Sequence, residues 1–236
     1  MIYHYLLNFK KMNDNDRIED LHSTFRQREA ELREKYITPY LNSEDENYRM
    51  DLEAYTALFY GAIEDFTKKM GIISIEIAKE KWNQNREIND TVLSVTYFCM
   101  YTLSDKQKTS YVSQNKLIAL SKVKNEQGQI ISYKDAITKL IDYSCTEYRK
   151  QVFKYYGGID YDGLAMILKP AGIDLIDNPD IESAFSDIKK YRGSIVHRMN
   201  AQEGITTLPS IRDVIDKVDY CLQFCENVKD QVIDKI

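Results

Sequence analysis

Glycine and proline are scarce in this chain, at 9 and 4 of 236 residues. An all-β fold needs many tight turns, so the shortage argues against one and for long helices. Cysteine is sparse too. Cys99, Cys145, Cys221 and Cys225 form no CxxC pair and have no histidine at zinc spacing. Free thiols in a reducing cytoplasm are expected, with no metal site. HExxH and clustered carboxylates are missing, and Gly157-Gly158 lacks the Lys-Ser/Thr that would complete a phosphate loop. No cofactor is expected. Long hydrophobic runs are missing as well. The most apolar stretch, Thr91–Leu103, has 13 residues and includes Tyr97 and Tyr101, too short to span a bilayer. Met1–Leu7 is too short and lacks the basic leader of a signal peptide. The expectation is a cytoplasmic protein with no membrane partner. Positive charge is in the minority, with 32 Lys+Arg against 37 Asp+Glu. That argues against a surface coated with nucleic acid but leaves room for a local basic site.

What is present describes an ordinary globular protein. Hydrophobic residues make up 43% and charged residues 29%, enough for one substantial core. Tyrosine is abundant at 18, giving amphipathic surface for packing or base stacking. Asp16–Tyr36 reads as a long exposed helix with a thin seam of Ile18, Leu21, Phe25, Leu32 and Tyr36, and His22 is expected on its surface. Asp51–Met70 is the cleanest amphipathic helix, with Leu52, Tyr55, Phe59, Ala62, Ile63, Phe66 and Met70 on one face. Glu64 and Asp65, beside that face, read as solvated acids. Trp82–Asp90 reads as a loop or a frayed helix end. Thr91–Leu103 is a buried helix or a strand, and the spacing Val92, Val95, Cys99, Leu103 favours a helix. A turn is expected at Asn125–Gly128, a helix over Tyr133–Lys150, and a short helix over Tyr161–Leu168 ended by Lys169-Pro170. Asn178-Pro179-Asp180 is a strong helix start, and the helix should bury Ile181, Ala184, Phe185, Ile188 and Ile195. A loop over Ala201–Ser210 then leads to Ile211–Ile236. There a three-four seam of Ile211, Val214, Val218, Cys221, Cys225, Val228 and Val232 suits a bundle or a coiled coil. Cys221 and Cys225 read as small core residues. The expected architecture is all-α, with an N-terminal helical extension over 1–45 and a helical domain over 46–236.

The stretch Lys189–Arg198 carries the chemistry. It holds Lys189, Lys190, Arg192 and Arg198, and no acidic residue lies between Asp187 and Glu203. It also holds His197, one of three histidines. An imidazole titrates near neutrality, and a guanidinium is permanently charged and matches a phosphate fork. Arg192 and His197, with four residues between them, are the smallest set able to hold a phosphodiester and move a proton on it. At about 100° per residue, Arg192 falls on the stripe of Ile181, Phe185 and Ile188. A charge there is costly unless it is paired or lines a cleft. His197 lies nearly opposite on an ideal helix. The two converge only if Gly193 loosens the helix, or across a two-fold axis between two copies. Lys189, Lys190, Ser194 and Arg198 are candidates to guide an RNA backbone, though the same charges also read as a solvated helix face.

An Arg, four to six residues and then a His, late in a core helix and followed by a loop and a last long helix, resembles the HEPN (higher eukaryotes and prokaryotes nucleotide-binding) superfamily. The resemblance carries onto Arg192 and His197 as an Arg-x4-His motif. Tyr55–Phe66 resembles the early helix of HEPN groups found near defence genes, and Ile211–Ile236 resembles the closing helix. The likeness spans roughly Met50 to Ile236. It implies an all-α HEPN-like bundle and a homodimer whose two Arg/His sets face one cleft. It also implies a metal-independent endoribonuclease that leaves 2′,3′-cyclic phosphate ends on RNA. Such a protein would be a toxin or antiviral defence effector, with a cognate antitoxin or defence protein as partner. Other members are inactive modules that bind nucleotide, RNA or protein. Gly193 stands where many active members carry a polar residue, and that departure favours the second reading.

Overall fold

A computed structural model describes residues 12–41, 48–102, 133–154, 158–198 and 209–235. They form seven α-helices: α1 (Asp14–Tyr36), α2 (Tyr48–Asn85), α3 (Asp90–Thr102), α4 (Tyr133–Lys154), α5 (Tyr161–Leu168), α6 (Pro179–Arg198) and α7 (Ile211–Asp234). Short 3-10 turns follow α1 at Thr38–Tyr40 and α5 at Lys169–Ala171. The fold is all-α, and no strand occurs among the described residues. The expected turn at Asn125–Gly128 and most of the loop over Ala201–Ser210 lie outside them. No helix among them is long and apolar enough to cross a membrane.

The chain divides into two compact units, with the division inside α2 between Met70 and Gly71. The first unit holds α1, the start of α2, α5, α6 and α7. Every residue of the Leu52–Met70 stripe is buried, as its spacing predicts. Phe25 of α1 stacks on Phe66 with ring centroids 4.7 Å apart, and Phe185 of α6 meets Phe224 of α7 edge-on at 5.0 Å. Helix α7 begins with a capping box. The Asp213 N–H donates to Ser210 Oγ, and the Ser210 N–H donates to the Asp213 carboxylate, each at 3.1 Å. Its seam is consumed inside the chain, since α7 packs against α1 and α6 and its residues from Val214 to Val232 on that seam have essentially no exposed surface. The seam therefore offers nothing to a second copy, and a dimer needs another face. Cys221 and Cys225 sit fully buried on it as small core residues, and their burial pushes both thiols up.

Helix α1 corrects one expectation: His22 is not on the surface. The buried positions are Arg17, Ile18, His22, Phe25 and Glu29, while Leu21, Leu32 and Tyr36 are only half-buried. The buried stripe thus mixes polar and apolar residues, because distant helices supply the polar partners. Glu29 accepts from the Tyr55 hydroxyl at 2.8 Å and from Arg33 Nε at 2.7 Å, and Arg33 reaches Asp219 of α7 at 2.6 Å.

His22 lies edge-on to Phe66, with Nε2 2.9 Å from a Glu226 oxygen but out of line for a hydrogen bond. Burial lowers its pKa, against the opposing pull of Glu226. The unfolded imidazole then binds a proton more readily than the folded one, so stability should fall as the pH drops through about 6.5. Urea titrations across a pH series should show a shallower acid loss for His22→Gln than for the wild type. Equal slopes would mean that His22 is not held neutral.

The second unit holds the rest of α2, α3, α4 and the Lys169–Ala171 turn. Here α2 runs into the Trp82–Asp90 stretch, read as a loop or a frayed helix end, and stays helical through Asn85. Trp82 is buried and its indole N–H donates to Thr138 at 3.3 Å. The helix stops where Arg86 adopts a left-handed backbone with φ 58°. Asn89 then caps α3, its side chain accepting the Val92 N–H at 2.9 Å. Thr91–Leu103 is helical through Thr102, burying Val92, Val95 and Cys99 while Leu93 and Tyr97 remain exposed. In α4, Ile141, Ser144 and Tyr148 are buried, and Ile137 and Leu140 only half so.

Candidate functional site

Helix α6 is built as its sequence predicts at the start. Asn178 caps it, accepting the Asp180 N–H at 2.9 Å, and Pro179 occupies the first position. Ile181, Ala184, Phe185 and Ile188 are buried. One turn further along the same stripe the burial ends. Arg192 is exposed and Ile195 is half-buried rather than in the core.

Arg192 is held by an aromatic ring. Its guanidinium carbon lies 5.3 Å from the ring centroid of Tyr60 on α2, within cation–π range. No carboxylate among the described residues pairs with Arg192. Tyr60 is 5% exposed, and its hydroxyl accepts the N–H of Ile159 at 2.9 Å. Burial pushes the phenol up; the Ile159 bond and the nearby cations Arg192 and Lys189 oppose that, and Glu64 adds to it. Gly158 makes this approach possible. Its φ is +84°, and a Cβ there would lie 2.5 Å from the Tyr60 oxygen.

The same turn carries Asp160. One carboxylate oxygen caps α5 by accepting the Gly163 N–H at 2.9 Å, and the other pairs with Lys189. Burial works against ionisation, but Lys189 and the Gly163 N–H outweigh it and hold this carboxyl below the usual range. One patch therefore joins Tyr60, the Gly158–Asp160 turn, Lys189 and Arg192.

The remaining predicted residues are placed differently. Lys190 is exposed. Ser194 is half-buried and its hydroxyl donates to the Tyr191 carbonyl at 2.7 Å. The backbone of α6 runs unbroken through His197 and Arg198, whose side chains lie outside the described residues. Gly193 does not loosen the helix, and a Cβ there would meet nothing within 4 Å. Positions 192 and 197 are thus about 140° apart around one helix axis. Tyr60 and Asp160 were not singled out from the sequence, and Gly157-Gly158 was weighed there only as a phosphate loop. Only Asp160 had a local signal, as an Asp directly before the Tyr161–Leu168 helix.

A family model described as RiboL-PSP-HEPN matches residues 23–234. The chain belongs to the RiboL-PSP-HEPN family. The match begins within α1 of this HEPN protein, ahead of the Met50 start of the resemblance, and ends at the last turn of α7. Membership suggests an HEPN-type nuclease or RNA-binding module. Neither the curated proteins nor the solved structures compared with this HEPN chain gave a match.

Proposed function

We propose that this HEPN protein is a metal-independent endoribonuclease that works as a homodimer and acts as a toxin or antiviral defence effector. The observation that carries the reading is Arg192: an exposed guanidinium, fixed over a buried ring, with its charge not cancelled by any described carboxylate. That is what binding a phosphodiester requires. The reaction needs no protein nucleophile. A base at His197 removes the proton of the RNA 2′-hydroxyl, and that oxygen bonds to the adjacent phosphorus. The bond from phosphorus to the 5′-oxygen breaks, and the leaving oxygen takes up a proton. Arg192 stabilises the charge gathering on the phosphoryl oxygens. The helical separation of positions 192 and 197 favours a site shared by two copies, Arg192 from one and His197 from the other. The test is incubation of single-stranded RNA and of DNA of the same sequence in EDTA. The RNA should be cut and the DNA, lacking a 2′-hydroxyl, should survive. Cleavage of both strands alike, or none in EDTA, contradicts the proposal.

One observation favours the inactive binding module as the second reading. Gly193 has open space around it, so packing does not impose a glycine where many active members carry a polar residue. An intact RNA that nonetheless binds through Arg192 is the result that selects this reading.

In either case Asp160 weakens the field at the patch. Asp160→Asn keeps an oxygen to cap α5 and removes a negative charge from beside Lys189 and Arg192. RNA affinity at low salt should rise by about two- to threefold, and the gain should fade as salt is added. An unchanged affinity at low salt would mean that RNA does not pass this turn.

A further inference from the structure

We infer that Tyr60 is the positioning residue for Arg192, holding its guanidinium where RNA phosphate is to bind. The inference rests on the proposed role of Arg192 as the phosphate contact. An exposed arginine has many rotamers and loses that freedom when it binds. A carboxylate would restrict it, but would also neutralise the charge that the phosphate needs. An aromatic face restricts it and leaves the charge intact. The patch uses both devices side by side. Lys189 is paired with Asp160, whereas Arg192 is seated on the Tyr60 ring.

The ring is itself fixed. It is buried on α2, and its hydroxyl accepts the Ile159 N–H at 2.9 Å. The backbone of Gly158 presses against that same hydroxyl, so closely that a Cβ would come within 2.5 Å. Both ends of the tyrosine are thereby set, and the face it turns to Arg192 cannot swing away. Two roles separate cleanly in this geometry: the hydroxyl holds the turn, and the ring holds the arginine.

The experiment is a double-mutant cycle. Tyr60→Leu and Tyr60→Phe are made in the wild type and in Arg192→Ala, and melting temperature is measured for each. Binding is measured with a fluorescent 2′-O-methyl oligouridylate, which lacks the nucleophile and cannot be cut. Arg192→Ala should weaken binding by about tenfold. Tyr60→Leu should weaken it by about fivefold in the wild type, and by less than about twofold when Arg192 is already gone. Tyr60→Phe keeps the ring and should lose less than about threefold, even though it lowers the melting temperature. The ring-current shift of the Arg192 side-chain resonances should persist in Tyr60→Phe and vanish in Tyr60→Leu. Equal losses from Tyr60→Leu in both backgrounds would make Tyr60 a purely structural residue and overturn the inference. So would unchanged binding in Tyr60→Leu alongside weakened binding in Arg192→Ala; the role of Arg192 would then stand. If Arg192→Ala binds like the wild type, the role of Arg192 falls and the inference falls with it.

Discussion

Replacing His197 with alanine should slow RNA cleavage by about two to four orders of magnitude, the usual range for a general acid or base. Arg192→Lys should be severely impaired as well, because lysine keeps the charge but loses the planar fork. The two failures should differ in binding: His197→Gln should hold RNA better than Arg192→Lys, since the proposed phosphate contact is Arg192. Mixing gives the sharper test. The unbroken α6 helix separates positions 192 and 197, so a productive pair is expected across a dimer. A heterodimer of Arg192→Ala with His197→Ala would contain one intact composite site. Random exchange of subunits should then restore about a quarter of wild-type activity, because about half of the dimers are mixed and each has one of two sites. A mixture as inactive as its components would place both groups of each site in one chain. A mixture with monomer mass in light scattering would remove the composite site altogether.

The second large effect is on stability. Arg33→Ala should destabilise the protein by about 3 kcal/mol, because it strips the ion partner from the buried Glu29 carboxylate. The lower end of the range applies because the Arg33 side chain is 29% exposed. Burial alone would lower the pKa of Arg33, but its bonds to Asp219 and Glu29 raise it instead. Asp219→Ala removes the outer member of the same chain, a carboxylate 49% exposed, and should cost no more than about 1 kcal/mol. Urea denaturation of both variants checks the ranking. Similar costs for the two would mean that Glu29 does not depend on Arg33.

The elements that the sequence revealed were those whose periodicity is apolar. The α2 stripe from Leu52 to Met70, the Asn178-Pro179 start of α6 and the α7 seam follow from spacing alone, because each buries aliphatic or aromatic residues on one face. Helix α1 misled for the opposite reason. His22 and Glu29 look like surface residues until Glu226 and Tyr55 are brought to them, and the Arg33–Asp219 pair joins positions 186 residues apart. Trp82 likewise sits in a polar stretch, and its burial depends on α4. At the site, Arg192 was legible as a charge on an apolar stripe. What the stripe opens onto was not. The Tyr60 hydroxyl meets a backbone N–H 99 residues away, and Lys189 meets Asp160 across a separation of 29. No local pattern encodes such contacts.

The chemistry assigned to Arg192 and His197 is tested most directly by the ends of the cut RNA. Single-stranded RNA is incubated in EDTA with the wild type, Arg192→Ala and His197→Ala, and the product termini are identified by mass. The expected result is a 2′,3′-cyclic phosphate on one fragment and a 5′-hydroxyl on the other, formed by the wild type and nearly absent with either variant. Fragments ending in 5′-phosphate, or cyclic phosphate formed equally by all three proteins, would contradict it.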